Sequence, residues 1–342
     1  MRICFFSKEG FESILKQQYS LQDINILREL GHDVVIASNF KEIPYNFDLY
    51  FSWWASGSIL PLIKSIVSRK PIFVIAGGTE AMLIKDSVYE NSWGFLETPL
   101  YKKIATILSL RFATKLFVVS DFMINDVKKL SRRNPIVLYN SVNTQIFKGD
   151  NDYIKEIIFT VVNLDEGPFL LKRGEIFLKA IKEVLKFYPD QKFAFVGKLG
   201  NAYQKYKMIV NKLKINENVE LIHNIKNNDM PTMFQKAKGY VQLSDVETFG
   251  QAVAEAMSCS VPVIVSKRGF LPSLVGPKGI YVDHNDYLSV SESILFLLNK
   301  TDQERLQIGN QLRTRIKEKF SYQKRKTRLA SIINNYFSTD LK

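Results

Sequence analysis

Two carboxylates, Glu247 and Glu255, stand with seven residues between them in the segment Ser244–Met257. Between them lies Phe249-Gly250, shortly after the apolar run Tyr240 to Leu243 and at the start of a helix-length stretch. A glycine at a strand-to-helix turn lets backbone N–H groups approach an anion. The helix N-terminus adds the positive end of its dipole, so the segment reads as a seat for phosphate. With Glu247 on the loop and Glu255 well inside the helix, the two carboxylates point to different depths of one pocket and can hold two separate sets of hydroxyls. That chemistry suits a nucleotide sugar. A glutamate pair alone is more often an exposed helix face. The preceding strand, the Phe-Gly turn and the following Pro262-Val263-Ile264-Val265-Ser266 make the combination specific.

Such a pocket needs a scaffold that presents strand ends. The chain supplies short apolar runs separated by helix-length stretches, the pattern of a parallel sheet buried on both faces. In the first half these runs are Arg2–Phe6, Val34–Ala37, Leu49–Ser52, Ile72–Ile75, Leu116–Val119 and Ile136–Leu138, with a helix expected over Phe11–Leu30 before Gly31. Thr98-Pro99 reads as an N-cap followed by proline at the first helical position. It opens a helix with Leu100, Ile104, Ile107, Leu108 and Phe112 on one side and Lys102, Lys103 and Arg111 elsewhere. The rhythm restarts with Ile157–Leu164, Phe193–Val196, Val219–Ile222, Tyr240–Leu243, Val263–Val265 and Ile280–Val282, and final helices are expected at about 302–318 and 321–337.

At about 150 residues per domain, 342 residues suggest two domains. The expected fold class is α/β: two Rossmann-like, doubly wound domains, residues 1–148 and 149–320, facing a cleft, with a join of linker composition at Lys148–Ile154. Ligands of open α/β sheets bind at the carboxyl ends of the strands.

The sequence here resembles the retaining glycosyltransferases of family 4, whose GT-B fold consists of two Rossmann-like domains and whose hallmark is the Glu-x7-Glu motif. Asn140-Ser141-Val142-Asn143 with Phe147 is similar to the family's Asn-Gly-Val-Asp…Phe segment, and Lys172-Arg173-Gly174 to its Lys-Gly helix opening, with Arg173 in the Lys place. Pro262–Ser266 followed by Gly269 resembles Pro-Val-Val-Ala-Ser…Gly-Gly, Gly31-His32-Asp33-Val34 resembles Gly-His-Glu-Val, and Val118-Val119-Ser120 with Phe122-Met123 resembles Val-Ser-x-Phe-Met. The resemblance implies that Glu255 holds the donor ribose, that Glu247 and the backbone at Phe249-Gly250 engage the transferred sugar and the diphosphate, and that Arg173 neutralises the leaving diphosphate. It places Thr248, Lys172, Gly197 and Asn163 on the donor side and Gly10, Gly77 and Gly78 on the acceptor side, where the aromatic pair Trp53 and Trp54 is a further candidate. It also implies that residues 321–342 form a helix crossing back toward the N-terminal domain. The co-substrate would be a UDP- or GDP-linked sugar, with no other cofactor. The chain departs from the pattern at Asn163, where the family often has Arg, at Gly77, where it has His, at Phe270, where it has a second Gly, and at Gly10, which stands without a glycine partner.

Other chemistries lack their residues. Cys4 and Cys259 make no disulfide framework, no Cys/His spacing suits zinc, and no Gly-x-Ser-x-Gly elbow is present. Asp150-Asn151-Asp152 matches a metal-binding Asp-x-Asp only formally and reads as a solvated turn, so no metal is expected. His32 and His223 look like strand-flanking residues and His284 like a cap or turn; Trp53 and Trp54 suit a sugar platform and core packing equally. The uncharged stretch Leu49 to Ile63 is too short and polar to span a membrane, and a cytoplasmic protein is the default expectation. The net charge is +13, and from Arg313 to Arg328 eight Lys/Arg face one acid, Glu318. That run, with Lys102, Lys103 and Arg111, suggests peripheral contact with an anionic membrane surface; no nucleic-acid partner is expected. The rival readings are a catalytically weakened GT-B protein that binds sugar nucleotides and a GT-B epimerase.

Overall fold

The computed structural model describes residues 1–84, 94–149, 155–223 and 225–339; the Asp150-Asn151-Asp152 turn and most of the expected linker fall outside them. The chain divides into two units, Met1–Ser141 with Tyr322–Lys342, and Val142–Ser321.

The first unit contains β1 (Arg2–Phe6), α1 (Phe11–Lys16), α2 (Gln18–Glu29), β2 (Asp33–Ala37), β3 (Leu49–Trp53), α3 (Ile59–Ser68), β4 (Ile72–Ala76), α4 (Leu100–Phe112), β5 (Lys115–Val118), α5 (Ile124–Ser131) and β6 (Ile136–Val137). Its strands form one parallel sheet in the order β2-β1-β3-β4-β5-β6. Every residue of β3 and β4 is buried, whereas β2, at the sheet edge, leaves Asp33 and Val35 exposed. Unbroken apolar runs are what a strand covered by helices on both faces requires.

The second unit contains β7 (Ile157–Val161), α6 (Glu166–Leu171), α7 (Gly174–Val184), β8 (Lys192–Val196), α8 (Tyr203–Leu213), β9 (Val219–Ile222), α9 (Met230–Gln235), β10 (Ala237–Gln242), α10 (Gln251–Ser258), β11 (Val263–Ser266), α11 (Leu271–Val275), β12 (Ile280–Val282), α12 (Tyr287–Leu298) and α13 (Asp302–Lys319). The strand order is β12-β11-β10-β7-β8-β9, again parallel. Strand order reverses between β7 and β10, which creates the crevice where ligands of such sheets bind. Phe177, Phe193, Phe195 and Tyr206 meet edge-on or tilted in the core of this unit.

α14 (Tyr322–Thr339) belongs to the first unit. Its Arg325 is buried and donates through Nε and Nη2 to the two oxygens of Asp23 in α2, at 2.6 and 2.8 Å, and through Nη1 to the carbonyls of Leu138 and Tyr139. Tyr322 and Lys326 reach the carboxylate of Glu29. Residues Val142–Lys148 pack with the second unit: Val142 N–H donates to Phe320 O, and Ser258 Oγ donates to Phe147 O.

Two local expectations are corrected, and a third point is one the sequence leaves open. The helix expected over Phe11–Leu30 is broken at Gln17, which is extended (φ −90°, ψ 119°), and α2 sets the Tyr19 ring 4.6 Å from that of Trp53. α4 is capped by Pro99 rather than Thr98, whose hydroxyl donates to Phe95 O. The apolar side of α4 is not its inner side. Thr106, Ser109 and Leu110 are buried, while Leu100, Ile104, Leu108 and Phe112 are exposed.

The basic run of the last two helices is also not one free cationic face. Arg313 donates to the carbonyls of Ser258 and Thr144, Arg315 to those of Leu274 and Ser273, and Arg325 and Lys326 are paired with Asp23 and Glu29.

Candidate functional site

β10 ends at Gln242, and the chain then forms a loop whose Ser244, Asp245 and Glu247 cluster at the carboxyl end of the sheet before α10 begins. Glu247 is held on the loop: its Oε1 accepts from Ser244 Oγ at 2.9 Å and Gln242 Nε2 at 3.2 Å. The loop is pinned from the other side. Phe270 N–H donates to Glu247 O at 2.8 Å, and a Cβ on Gly269 (φ 59°) would stand 2.3 Å from that same oxygen, so only glycine fits there.

Gly250 (φ 91°) caps α10, and the first-turn amides, which the helix itself does not use, open at this point. One turn on, Glu255 is buried, with Oε1 accepting from Gln251 Nε2 at 3.0 Å. Burial pushes its carboxyl up to about 7. The pair therefore differs as the spacing suggested: Glu247 on a half-buried loop, Glu255 inside the helix in a desolvated environment.

Arg173 caps α7 in the left-handed region (φ 52°) and donates through Nε and Nη2 to Asp245 Oδ1 at 3.1 and 2.8 Å. His284 Nε2 lies 2.7 Å from the same oxygen. Asp245 was not singled out in the sequence, where His284 reads as a cap or turn. His284 is a buried partner of Asp245 and not merely a turn residue. The available signal was the position of Asp245 directly after a strand at the switch point.

The other donor-side candidates divide into two groups. Asn163 follows β7, and its Oδ1 accepts from Lys198 N–H; Lys172 Nζ donates to Val161 O at 2.9 Å, so both sit at the end of β7. Gly197 follows β8, and a Cβ there would be 2.1 Å from Val162 O, which makes it a close-packing glycine between strand ends. The Phe249 ring is buried, stacked on Phe270 at 5.7 Å and edge-on to Phe320, so only its backbone can meet a ligand. Phe270, in place of the second glycine, is core. Thr248 is half-buried on the same loop.

The first unit's candidates gather at the carboxyl ends of β1, β3 and β4. Gly10 (φ 82°) caps α1. Trp53 is 1% exposed, with Nε1 donating to Asp23 Oδ2 at 2.9 Å, so its ring is core and closed to a sugar. Trp54 (φ 69°) is half-buried and covers Gly77 and Gly78, where added Cβ atoms would lie 2.8 Å from Trp53 and Trp54 ring carbons respectively. Glu80 went unnoticed in the sequence. Both carboxylate oxygens are buried without a hydrogen-bond partner, and desolvation outweighs the nearby amides to bring it up to about 7. Among the described residues no group of acidic, His or Cys side chains could hold a metal ion, and no helix is long and apolar enough to cross a membrane.

The two parallel sheets define a GT-B glycosyltransferase fold. Anabaena HepE, solved with UDP and glucose, superposes with a TM-score of 0.77 over 98% of this chain and 100% of its own, at 15% identity. Sucrose-phosphate synthase of Thermosynechococcus elongatus gives 0.78 over 99% of each chain, also at 15% identity. In sequence, residues 154–315 match the family described as Glycosyl transferases group 1. An uncharacterized glycosyltransferase of Methanocaldococcus jannaschii is 28% identical over 260 residues, 75% of this chain and 66% of that relative.

Proposed function

We propose that this chain is a retaining glycosyltransferase that moves a sugar from a UDP- or GDP-linked donor to an acceptor hydroxyl. The observation that carries the reading is the placement of Glu247 and Glu255 before and within α10, at the switch point of the second unit, in a segment matched by group 1 glycosyl transferases. Glu255 receives the ribose hydroxyls, which replace the hydration its burial removed. Glu247, oriented by Ser244 and Gln242, receives hydroxyls of the transferred sugar. The first-turn amides of α10 and the Arg173 guanidinium carry the charge that builds on the departing diphosphate, in the way preorganised donors stabilise a leaving group. The acceptor oxygen bonds to the anomeric carbon on the face the diphosphate leaves, and its proton passes to a departing phosphate oxygen. Charge neutralisation by these groups makes the reaction metal-independent in this reading.

A second reading, a GT-B protein that binds sugar nucleotides with little turnover, is favoured by one observation. Arg173 is paired with Asp245, and Asn163 offers no compensating charge.

The test is a thermal-shift panel of UDP, GDP, ADP and their common sugar conjugates on wild type and Glu255→Ala, because a ligand of the native state raises its melting temperature. Stabilisation by one nucleotide that Glu255→Ala loses supports the donor site and identifies the base. No stabilisation by any of them removes the reading. Donor consumption then separates the two readings, and the anomeric configuration of the product, read by NMR, tests retention.

A further inference from the structure

α3 and α4 pack against each other on the first unit and turn an apolar face outward. On α4, Leu100, Ile104, Leu108 and Phe112 recur at helical spacing along one stripe, with Tyr101 beside them, and on α3 Ile63, Ile66 and Val67 are exposed. Leu100 is 73% and Val67 65% exposed, whereas the inward positions of α4 include Thr106 and Ser109. A helix that buries hydroxyls and presents leucine, isoleucine and phenylalanine to water has its amphipathicity reversed. Exposed apolar side chains that recur along one helical stripe are not scattered singles, and they mark a contact with something apolar.

The charges around the face say what that something is. Neither α3 nor α4 contains an acidic residue, and the exposed acid just ahead of α4, Glu97, is outnumbered there by Lys102 and Lys103. Lys102 and Lys103 stand in the first turn of α4, where the helix dipole disfavours a cation, so their position does not serve the helix. Lys103 reaches the carbonyl of Leu96, itself exposed, while Lys102 stands in solvent. Arg69, exposed, ends α3. Lys64 is not part of this rim, being buried with its ammonium over the rings of Tyr45 and Phe40. An apolar stripe with an aromatic on either end of α4 and cations near its ends is the composition of a helix lying in a lipid interface. We propose that the outward face of α3 and α4 docks the protein on an anionic lipid bilayer, with Leu100, Ile104, Leu108 and Phe112 entering the headgroup layer and Lys102, Lys103 and Arg69 pairing with lipid phosphates. This inference is independent of the donor-site reading.

The test is sedimentation of the full chain with vesicles of phosphatidylglycerol mixed with phosphatidylcholine, against phosphatidylcholine alone, at low salt. Wild type is expected to pellet with the anionic vesicles. Ile104→Glu and Lys102→Glu are each expected to lower the apparent affinity on the order of tenfold, with unchanged melting temperature because both sites are exposed. Lys317→Glu, on the exposed surface of α13, is the control and is expected to pellet as wild type does. Failure of wild type to pellet, or equal pelleting of Ile104→Glu, overturns the proposal. So does loss of pelleting in Lys317→Glu alone, which would assign the attraction to the basic tail. A dimer in sedimentation velocity that Ile104→Glu dissociates, without vesicle binding, would show that a second copy covers the face and would equally overturn it.

Discussion

Arg173 and His284 converge on a single oxygen, Asp245 Oδ1, with Arg173 Nη2 at 2.8 Å and His284 Nε2 at 2.7 Å, while Asp245 Oδ2 is buried without a hydrogen-bond partner. The guanidinium proposed to face the diphosphate is thereby fixed in place by a carboxylate that also moderates its charge.

Replacing Arg173 by alanine leaves Asp245 buried beside only His284. Breaking one partner of a largely buried pair is expected to lower stability by about 2 kcal/mol, discounted for the part of the guanidinium that reaches solvent. If the proposed role holds, kcat falls on the order of a hundredfold. Arg173→Lys keeps the charge but loses the two-nitrogen grip and is expected to fall between. Urea denaturation and donor consumption measure the two effects, and an unchanged kcat in Arg173→Ala would remove Arg173 from the chemistry.

Glu255 gives a pH signature. Its folded pKa, about 7, lies above the ordinary 4.5, so its contribution to stability is complete below about 4.5 and is lost as pH rises through about 7. Between about pH 5 and about pH 8, wild type is expected to lose about 2–3 kcal/mol relative to Glu255→Gln. Glu80 is shifted the same way, but it is present in both proteins and cancels. Parallel stability curves for the two proteins would contradict the assignment.

Gly269→Ala places a methyl group 2.3 Å from Glu247 O at a left-handed backbone position. The Glu247 loop must shift or strain, costing about 2–3 kcal/mol, and nucleotide-sugar binding is expected to weaken with it. Calorimetric binding together with thermal melting checks this; an alanine variant that melts and binds like wild type would show that the loop is not pinned there.

In the first unit, Arg325→Met leaves Asp23 buried with only Trp53 as a donor and is expected to lower stability by about 3–5 kcal/mol. The double variant Arg325→Met/Asp23→Leu is expected to recover part of that loss, since no unpaired charge remains, although Trp53 Nε1 then lacks its acceptor. A double variant as unstable as the sum of the two single variants would mean the pair is not coupled.

Much of the scaffold was legible because parallel strands covered on both faces must be continuously apolar, and runs such as Ile72 to Ile75 and Val263 to Val265 have no other use. The Glu247–Glu255 segment was legible for a similar reason: a strand, a glycine turn and a helix in succession constrain their own geometry. Asp245 and His284 were not, because their contact joins residues 39 apart in sequence that only the β10–β11–β12 packing brings together.

What the sequence by itself determined was therefore local and periodic: the strands and the position of each carboxylate relative to Gly250. The tertiary structure alone decided which side of each element faced inward. α4 carries its leucines and isoleucine at regular helical spacing, and that spacing predicts an apolar stripe without saying what covers it. The sheet beneath accepts Thr106, Ser109 and Leu110, so the larger side chains turn outward. Trp53 likewise could have met a ligand or the core, and the Asp23 carboxylate, held by Arg325 from the far end of the chain, draws its indole inward. Periodicity fixes an angle around one helix or strand; which direction is buried depends on neighbours distant in sequence.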